Sequence, residues 1–271
     1  MKLVVNELSF RYKNTEVLHD IGLELTPMLT ALIGPNGAGK STLLQCMAGI
    51  LPSEGHLYFN GQKINPSSHE SYIQNLSYLP QYGFNPVAIT VLEAVLLGML
   101  HSLSFRVGDE ELDRAFKALY DLGIQDLAEK RLDELSGGQQ QLVSIAQTIV
   151  KDPSLILLDE PLNNLDIHHQ LEMLELIREQ TRSRKTITVI ALHDLNLAAR
   201  YADRILVIDK GRLYASGTPE EVLTKKMLRE VYRVEADVTI DKGGIPRMHL
   251  HSPRHPGTAI ANGKESGIEQ P

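Results

Sequence analysis

A glycine-rich segment, set between a short apolar run and a run with helical spacing, constrains the fold of this chain more than any other feature. The apolar run covers residues 30–33 and the helical spacing covers 41–50. Such a loop binds phosphate, because backbone N–H groups turn towards the oxygens and the helix N-terminus adds positive charge. The segment comprises Gly34, Pro35, Asn36, Gly37, Ala38, Gly39, Lys40, Ser41 and Thr42.

We therefore predict a nucleotide-phosphate site in which Lys40 supplies a full positive charge and the Ser41 hydroxyl is a ligand for Mg²⁺. A glycine-rich turn capped by Ser41 is the simpler alternative. Two adjacent carboxylates, Asp159 and Glu160, follow the apolar run 155–158. Side chains alternate along a strand, so the two carboxylates can serve different points around one metal-bound phosphate. We predict that Asp159 holds Mg²⁺ and that Glu160 orients and deprotonates the attacking water, unless both are merely exposed charges.

The composition is that of an ordinary globular protein. The chain has 271 residues, of which 42% are hydrophobic and 23% charged, which is enough for a self-sufficient core. A net charge of -7 gives no reason to expect binding along a nucleic-acid backbone. The single cysteine, Cys46, excludes an intrachain disulfide and is expected in the core. Without a leader or a long apolar run, the chain is expected to be cytoplasmic and to act at a membrane only through a partner.

The apolar pattern divides the chain into parts. Residues 2–8 and 17–26 alternate as antiparallel strands do, and residues 91–99 and 109–122 have helical spacing. From 155 to 208 strands alternate with helices, which is typical of an α/β fold with a parallel sheet covered on both faces. From Gly243 onward Gly, Pro, Ser and His dominate, so we predict an irregular tail.

A third motif lies between the phosphate loop and the carboxylate pair, at the predicted start of a helix. It consists of Leu135, Ser136, Gly137, Gly138 and Gln139. This motif resembles the signature of the ATP-binding-cassette (ABC) ATPase family, and Ser136 with the following N–H groups would form a second anion site. A helix cap without a further role is the alternative.

The resemblance covers about residues 1–233 and implies ATP and Mg²⁺ as cofactors. It implies a P-loop NTPase (RecA-like) parallel-sheet core with an antiparallel β subdomain and a helical subdomain at about 84–150. Residues 234–271 are then a C-terminal extension.

Further positions match the family one at a time. The resemblance implies that Tyr12 stacks on adenine, that Gln81 reaches Mg²⁺ and the attacking water, and that His193 contacts the γ-phosphate and orients Glu160. A core aromatic, a turn residue after Pro80 and a structural histidine are the respective alternatives. Asn164, Leu165 and Asp166 resemble the loop that crosses the family's dimer interface, and Asp166 also suits a helix N-cap.

The resemblance also implies partners. Two subunits, expected to be identical, would pack head to tail so that each nucleotide lies between the phosphate loop of one and the signature of the other. Integral membrane permease subunits, and through them an extracytoplasmic substrate-binding protein, would complete the assembly at the cytoplasmic face of the membrane, without nucleic acid. We predict that residues 87–104 form the groove for a permease helix, with a core helix as the alternative.

Two places depart from the family pattern. Gln140 and Gln141 follow the signature where a basic residue is often found, and Asn163 and Asn164 stand where small residues are frequent. Similarity in three stretches favours importers of ferric siderophores, haem or cobalamin. Those stretches are residues 165–172, 193–203 and 211–222.

Other functions remain open at this point. They are another transport specificity, a non-transport ABC ATPase acting on ribosomes or DNA, and a P-loop kinase, which has no reason to carry the signature or His193. The tail histidines His249, His251 and His255 suggest a metal site, but histidines scattered in such a segment are usually solvated.

Overall fold

The computed structural model describes residues 1–81, 88–100, 107–163 and 165–253. The strands in these ranges form three sheets. They are β1 (Leu3–Tyr12), β2 (Thr15–Leu25), β3 (Leu29–Ile33), β4 (Glu54–Phe59), β5 (Gln62–Lys63), β6 (Leu76–Leu79), β7 (Leu155–Asp159), β8 (Ile187–Ala191), β9 (Arg204–Asp209), β10 (Arg212–Gly217), β11 (Val234–Ile240) and β12 (Pro246–Pro253).

The helices of the described ranges connect these strands or cover their sheets. They are α1 (Lys40–Met47), α2 (His69–Gln74), α3 (Val91–Leu97), α4 (Asp109–Asp121), α5 (Gly137–Ile149), α6 (Ile167–Arg184), α7 (Leu195–Tyr201), α8 (Pro219–Val222) and α9 (Lys225–Met227). A π-helical turn over Leu228–Tyr232 follows α9. Two short 3-10 turns, Gln125–Leu127 and Leu132–Glu134, lie between α4 and α5.

A six-stranded sheet in the order β10-β9-β3-β8-β7-β6 forms the centre of the fold. Its strands are parallel except β10, which pairs antiparallel with β9 at one edge. Alternate residues of β7 enter two different cores: Ile156 and Leu158 pack with the helical part, whereas Leu155 and Leu157 pack with α1 and the antiparallel sheet. The α/β fold with a parallel-sheet core predicted from the sequence is confirmed.

The N-terminal strands belong to a separate antiparallel sheet in the order β2-β1-β4-β5. The register pairs Leu3 with Leu25 and Tyr12 with Thr15, so the two strands are antiparallel, as predicted, and the chain turns at residues 13–14. Gly55 in β4 has φ +92, and a side chain there would meet the Glu7 carbonyl oxygen at 2.4 Å. Only glycine permits this close approach of two strands.

Helices α3, α4 and α5 pack together within the 84–150 range that we expect to be a helical subdomain. The first turn of α4 carries Asp109, Glu110 and Glu111, which suits the positive end of the helix dipole. Val91, Ala94 and Val95 of α3 are buried, whereas Leu97 is 45% exposed. The predicted permease groove falls partly on this helix, but residues 87 and 101–104 of that range lie outside the described residues.

The expected irregular tail is wrong for residues 246–253. They form β12, which pairs antiparallel with β11 after a turn at Gly244, where φ is +80. Burial alternates at the start of β12, where Pro246 and Met248 are buried and the residues next to them are more exposed. The Gly- and Pro-rich composition of the segment gave no indication of this alternation. Asn196 of α7 secures this hairpin, because its Oδ1 accepts from the Met248 N–H at 2.9 Å. The rest of the tail, residues 254–271, lies outside the described residues.

Candidate functional site

The phosphate loop joins β3 to α1, as the sequence predicts. Gly34 has φ +153, and a side chain there would lie 2.1 Å from the carbonyl oxygen of Ile208 on β9. The Nζ atom of Lys40 donates to the carbonyl oxygens of Gly34 at 2.8 Å and Pro35 at 3.3 Å, so the lysine curls over its own loop. Burial lowers the pKa of Lys40, against the opposing effect of Glu160 and Asp159.

Asp159 at the end of β7 meets Ser41 at the start of α1. The Ser41 hydroxyl donates to Asp159 Oδ1 at 3.0 Å. Asp159 is only 1% exposed, and this burial raises the pKa of its carboxyl above the usual range. A hydroxyl and a buried carboxylate at this separation are the hard oxygen ligands that Mg²⁺ prefers. The donor set therefore fits the predicted metal site.

Glu160 lies directly after β7 in a left-handed backbone conformation, with φ +52. Its carboxylate meets three side chains from different parts of the chain. Oε2 accepts from Gln81 Nε2 at 2.6 Å and from Asn163 Nδ2 at 3.0 Å, and Oε1 lies 2.6 Å from His193 Nε2. Non-glycine residues in this backbone region are uncommon and are often found where a side chain must be aimed.

A cavity of about 390 Å³ unites the phosphate loop with the ends of β6, β7 and β8. Lys40 and Ser41 line one side, and Gln81, Glu160 and His193 line another. In open α/β sheets ligands bind outside the carboxyl ends of the strands, as here. The remaining lining residues are Val17, Asn36, Gly37, Gly39 and Thr42. Residues predicted from four separate segments thus come together around one space.

Tyr12 lies outside the cavity lining and is 46% exposed, which rules out the core-aromatic alternative. Its ring packs edge-to-face on Phe10 at a centroid distance of 4.7 Å, and its hydroxyl is 3.5 Å from Gln45 Oε1. The ring is therefore available beside the phosphate helix, and its stacking on adenine stays a prediction.

The signature residues form the N-terminus of α5 and do not line the cavity. Ser136 Oγ accepts from the Gln139 N–H at 3.3 Å, and Gln139 Oε1 accepts from the Ser136 N–H at 3.1 Å, a reciprocal cap. Asp166 caps α6 in one direction only, since its Oδ1 accepts from the His169 N–H at 3.0 Å. Its neighbour Asn164 lies outside the described residues.

Sequence reasoning noted Asn163 and Gln140 only as departures from the family pattern and missed the contacts that they make in this region. Asn163 binds the Glu160 carboxylate, as given above. Gln140 Nε2 donates to the carbonyl oxygens of Leu132 at 3.0 Å and Leu135 at 3.3 Å, which fixes the chain entering the signature. The departures themselves were the available signal, because an amide replaces a residue of different hydrogen-bonding capacity.

The tail histidines have nearby partners of their own. His251 Nε2 lies 2.8 Å from Asp237 Oδ2, and His249 Nε2 lies 3.3 Å from the Thr239 hydroxyl. Within the described ranges, no cluster of three or more His, Cys, Asp or Glu residues is arranged to hold a metal. His255 lies outside these ranges.

Comparison with known proteins decides the family. The sequence profile described as "ABC transporter" matches residues 18–163, which include the phosphate loop, the signature and the carboxylate pair. The chain belongs to the ABC transporter ATP-binding subunits. Members of this family bind and hydrolyse ATP, dimerise and work with membrane permease subunits, so the P-loop kinase alternative is discarded.

Relatives of this ABC subunit match over most of its length. A petrobactin import ATP-binding protein of Bacillus anthracis is 37% identical over 243 residues, covering 88% of this chain and 89% of that protein. A hemin import ATP-binding protein of Bordetella avium is 35% identical over 269 residues, with 96% and 98% coverage.

Among solved structures, an ATP-binding cassette of an ABC transporter in its ADP conformation is similar to this subunit. It is 26% identical, has a TM-score of 0.75 and covers 86% of this chain and 98% of its own. None of the subunit's helices in the described ranges combines the length and apolar character that a bilayer span requires.

Proposed function

We propose that this subunit hydrolyses Mg-ATP to energise the import of an iron chelate, either a ferric siderophore or haem, or of cobalamin. Relatives named for petrobactin and hemin import support the cargo class, since each matches over nearly the whole chain. The cavity supports ATP hydrolysis as the reaction, because the phosphate loop and the hydrogen-bonded carboxylate of Glu160 both line it. The single observation that carries the proposal is the contact of Glu160 with both Gln81 and His193 at 2.6 Å.

Glu160 is the proposed general base. Its carboxylate would accept a proton from the water that attacks the γ-phosphorus, while the bond between the γ-phosphorus and the bridging oxygen breaks and ADP leaves. Gln81 and His193 fix the two carboxylate oxygens in place, and His193, whose side chain is 45% exposed, lines the cavity in which the γ-phosphate would lie. Lys40 would leave its own loop carbonyls to neutralise phosphate charge, because a triphosphate is a stronger partner than two carbonyls.

Mg²⁺ would be held by Ser41 Oγ and Asp159, whose oxygens already lie 3.0 Å apart. Gln81 is a third candidate ligand through its side-chain oxygen. When bound, the cation would neutralise charge on the phosphates. Burial of Asp159 supports this role, because burial disfavours its charged form. A bound cation would offset this cost.

The dimer we propose is a head-to-tail pair of identical chains. Ser136 and the N–H groups of Gly137 and Gly138 begin α5 outside the cavity, so an anion there would come from another subunit's nucleotide. Asp166 would lie in the loop that crosses this interface, and Tyr12 would stack on adenine. An isologous pair places both signatures opposite both phosphate loops.

The permease is expected to dock on residues 87–104, where the described part includes the exposed Leu97 and Leu100. Such docking would hold the subunit at the cytoplasmic face of the membrane. An extracytoplasmic substrate-binding protein would deliver the cargo to the permease. No nucleic-acid partner is proposed, in line with the net charge of -7.

Uptake measurements in the native cell test this function. Deleting the gene should abolish uptake of one labelled cargo among a ferric siderophore, haem and cobalamin, and the wild-type gene should restore it. A gene that encodes the Glu160→Gln variant should not restore uptake, although its product should still co-purify with the permease. Unchanged uptake of all three cargoes in the deletion strain would mean another transport specificity, and absence of any membrane partner would favour a non-transport ABC ATPase.

A further inference from the structure

We propose that Asn163 is a positioning residue for ATP hydrolysis, which acts by fixing the carboxylate of Glu160. The inference rests on the proposed role of Glu160 as the base. It starts from one contact, in which Asn163 Nδ2 donates to Glu160 Oε2 at 3.0 Å. Asn163 is not among the residues that line the cavity. It would therefore act through Glu160 and not directly on the nucleotide.

The carboxylate of Glu160 needs this second amide. An ionised carboxylate has about four acceptor positions, and Gln81, Asn163 and His193 occupy three of them in this structure. The two amides converge on Oε2, whereas Oε1 faces His193. Without Asn163, Oε2 would keep only Gln81, and the terminal torsion of Glu160 would be free to rotate, because such torsions have broad minima. An accepting lone pair would then lose its fixed direction towards water.

The backbone ties Asn163 to the same turn as its partner. The Asn163 N–H donates to the Glu160 carbonyl oxygen at 3.3 Å. Asn163 is therefore hydrogen-bonded to Glu160 through both its main chain and its side chain. Glu160 holds the left-handed conformation at the start of this turn, with φ +52. The turn therefore fixes both the backbone and the carboxylate of the base.

The same loop has a separate support that does not touch Glu160. Gln170 of α6 donates through Nε2 to the carbonyl oxygens of Leu162 at 3.3 Å and Leu165 at 3.1 Å. Gln170→Ala should loosen the loop around Asn163 while leaving the amide-to-carboxylate bond available. It is therefore the matched control for a merely structural effect.

Steady-state ATPase kinetics of the purified full chain test the proposal. Asn163→Ala should lower kcat by roughly ten- to a hundred-fold, the factor expected for a lost hydrogen bond to a charged group, and leave KM for ATP near wild type. Asn163→Asp, which keeps the shape but replaces the donor by a second carboxylate, should lower kcat further. Gln170→Ala should lower the melting temperature at least as much as Asn163→Ala, with a smaller loss of kcat.

Three results would overturn the proposal: a kcat of Asn163→Ala within about twofold of wild type, a loss that falls mainly on KM, or an equal kcat loss in Gln170→Ala. Glu160→Gln is assayed alongside to separate the two levels of inference. If Glu160→Gln is inactive while Asn163→Ala is normal, only the positioning role fails. If Glu160→Gln is fully active, the assignment of the base itself fails.

Discussion

The Nε2 atom of His193 lies 2.6 Å from Oε1 of Glu160. These residues follow adjacent parallel strands, whose register pairs Asp159 at the end of β7 with Ala191 at the end of β8. The alignment of two strand ends thus brings a histidine to a carboxylate that is distant in sequence. Both side chains line the cavity beside Lys40, and in the proposed function they would face the γ-phosphate end of the nucleotide.

Substitution of Glu160 should separate binding from hydrolysis. Glu160→Gln keeps the shape and a carbonyl oxygen but cannot accept a proton from water, so turnover should fall by roughly 10²–10⁴-fold with ATP affinity retained. The variant should accumulate as a nucleotide-bound dimer, measurable by size-exclusion chromatography. Lys40→Ala should instead lose ATP binding, because it removes the buried cation of the loop. Wild-type turnover by Glu160→Gln would count decisively against Glu160 as the base.

The residues of this site were largely predictable because their signals are local. The phosphate loop needs glycines at set positions, and the carboxylates follow an apolar strand, so a short window carries each motif. The parallel sheet was predictable from wholly apolar runs such as residues 155–158. Contacts between residues of different motifs, such as that of Gln81 with Glu160, depend on the order of the strands in the sheet. Only the family resemblance indicated that these residues act at one site.

The C-terminal hairpin was missed for a physical reason. Glycine and proline near its turn resemble an irregular segment, and β12 buries only part of its length. Its stability depends on partners far along the chain, including the two hydrogen bonds between Asn196 and the backbone of Met248, at 2.9 and 3.4 Å. Such contacts leave no periodic pattern in the sequence. Asn163 and Gln140 were noticed only as departures, since side-chain reach cannot be determined without the turn geometry.

Gly34 should tolerate no side chain. In Gly34→Ala the new methyl would lie 2.1 Å from the Ile208 carbonyl oxygen, so β9 or the loop must move. We expect a loss of about 2–4 kcal/mol in the free energy of unfolding. Gly37→Ala is the control, because Gly37 has φ +75 but nothing within 4 Å of a new Cβ, so it should lose about 1–2 kcal/mol. Thermal unfolding measures both, and equal shifts in melting temperature would refute the steric argument.

Gln140 should support the signature through the chain that precedes it. Gln140→Ala removes the donors to the Leu132 and Leu135 carbonyls, at a cost of about 1–2 kcal/mol in local stability. If Ser136 acts across a dimer, ATPase activity should fall several-fold, and hydrogen exchange should rise in residues 132–139. Gln62→Ala, at an exposed glutamine on β5, should change neither quantity. If hydrogen exchange rose without any loss of ATPase activity, Gln140 would stabilise this segment without contributing to the function of the signature.

The C-terminal hairpin should weaken in acid because of Asp237. Its carboxylate accepts from Lys225 Nζ at 2.6 Å and lies 2.8 Å from His251 Nε2, and these partners lower its pKa from 3.8 to about 2. A group whose pKa is lower in the folded state stabilises that state above the unfolded value and loses the effect as the pH falls through the folded value. The contribution of Asp237 should therefore be complete at pH 5 and disappear between about pH 4 and pH 2.

Pepsin digestion from pH 5 to pH 2 can follow this loss, if cleavage within residues 234–253 is compared with that of Asp237→Asn at each pH. The wild type should resist cleavage better at pH 5, and the difference should vanish near pH 2, because protonation makes the two side chains equivalent in charge. Lys225→Gln removes the main cause of the lowered pKa of Asp237, so the same difference should vanish at a higher pH. A difference that persists unchanged at pH 2 would show that the hairpin does not depend on this charge.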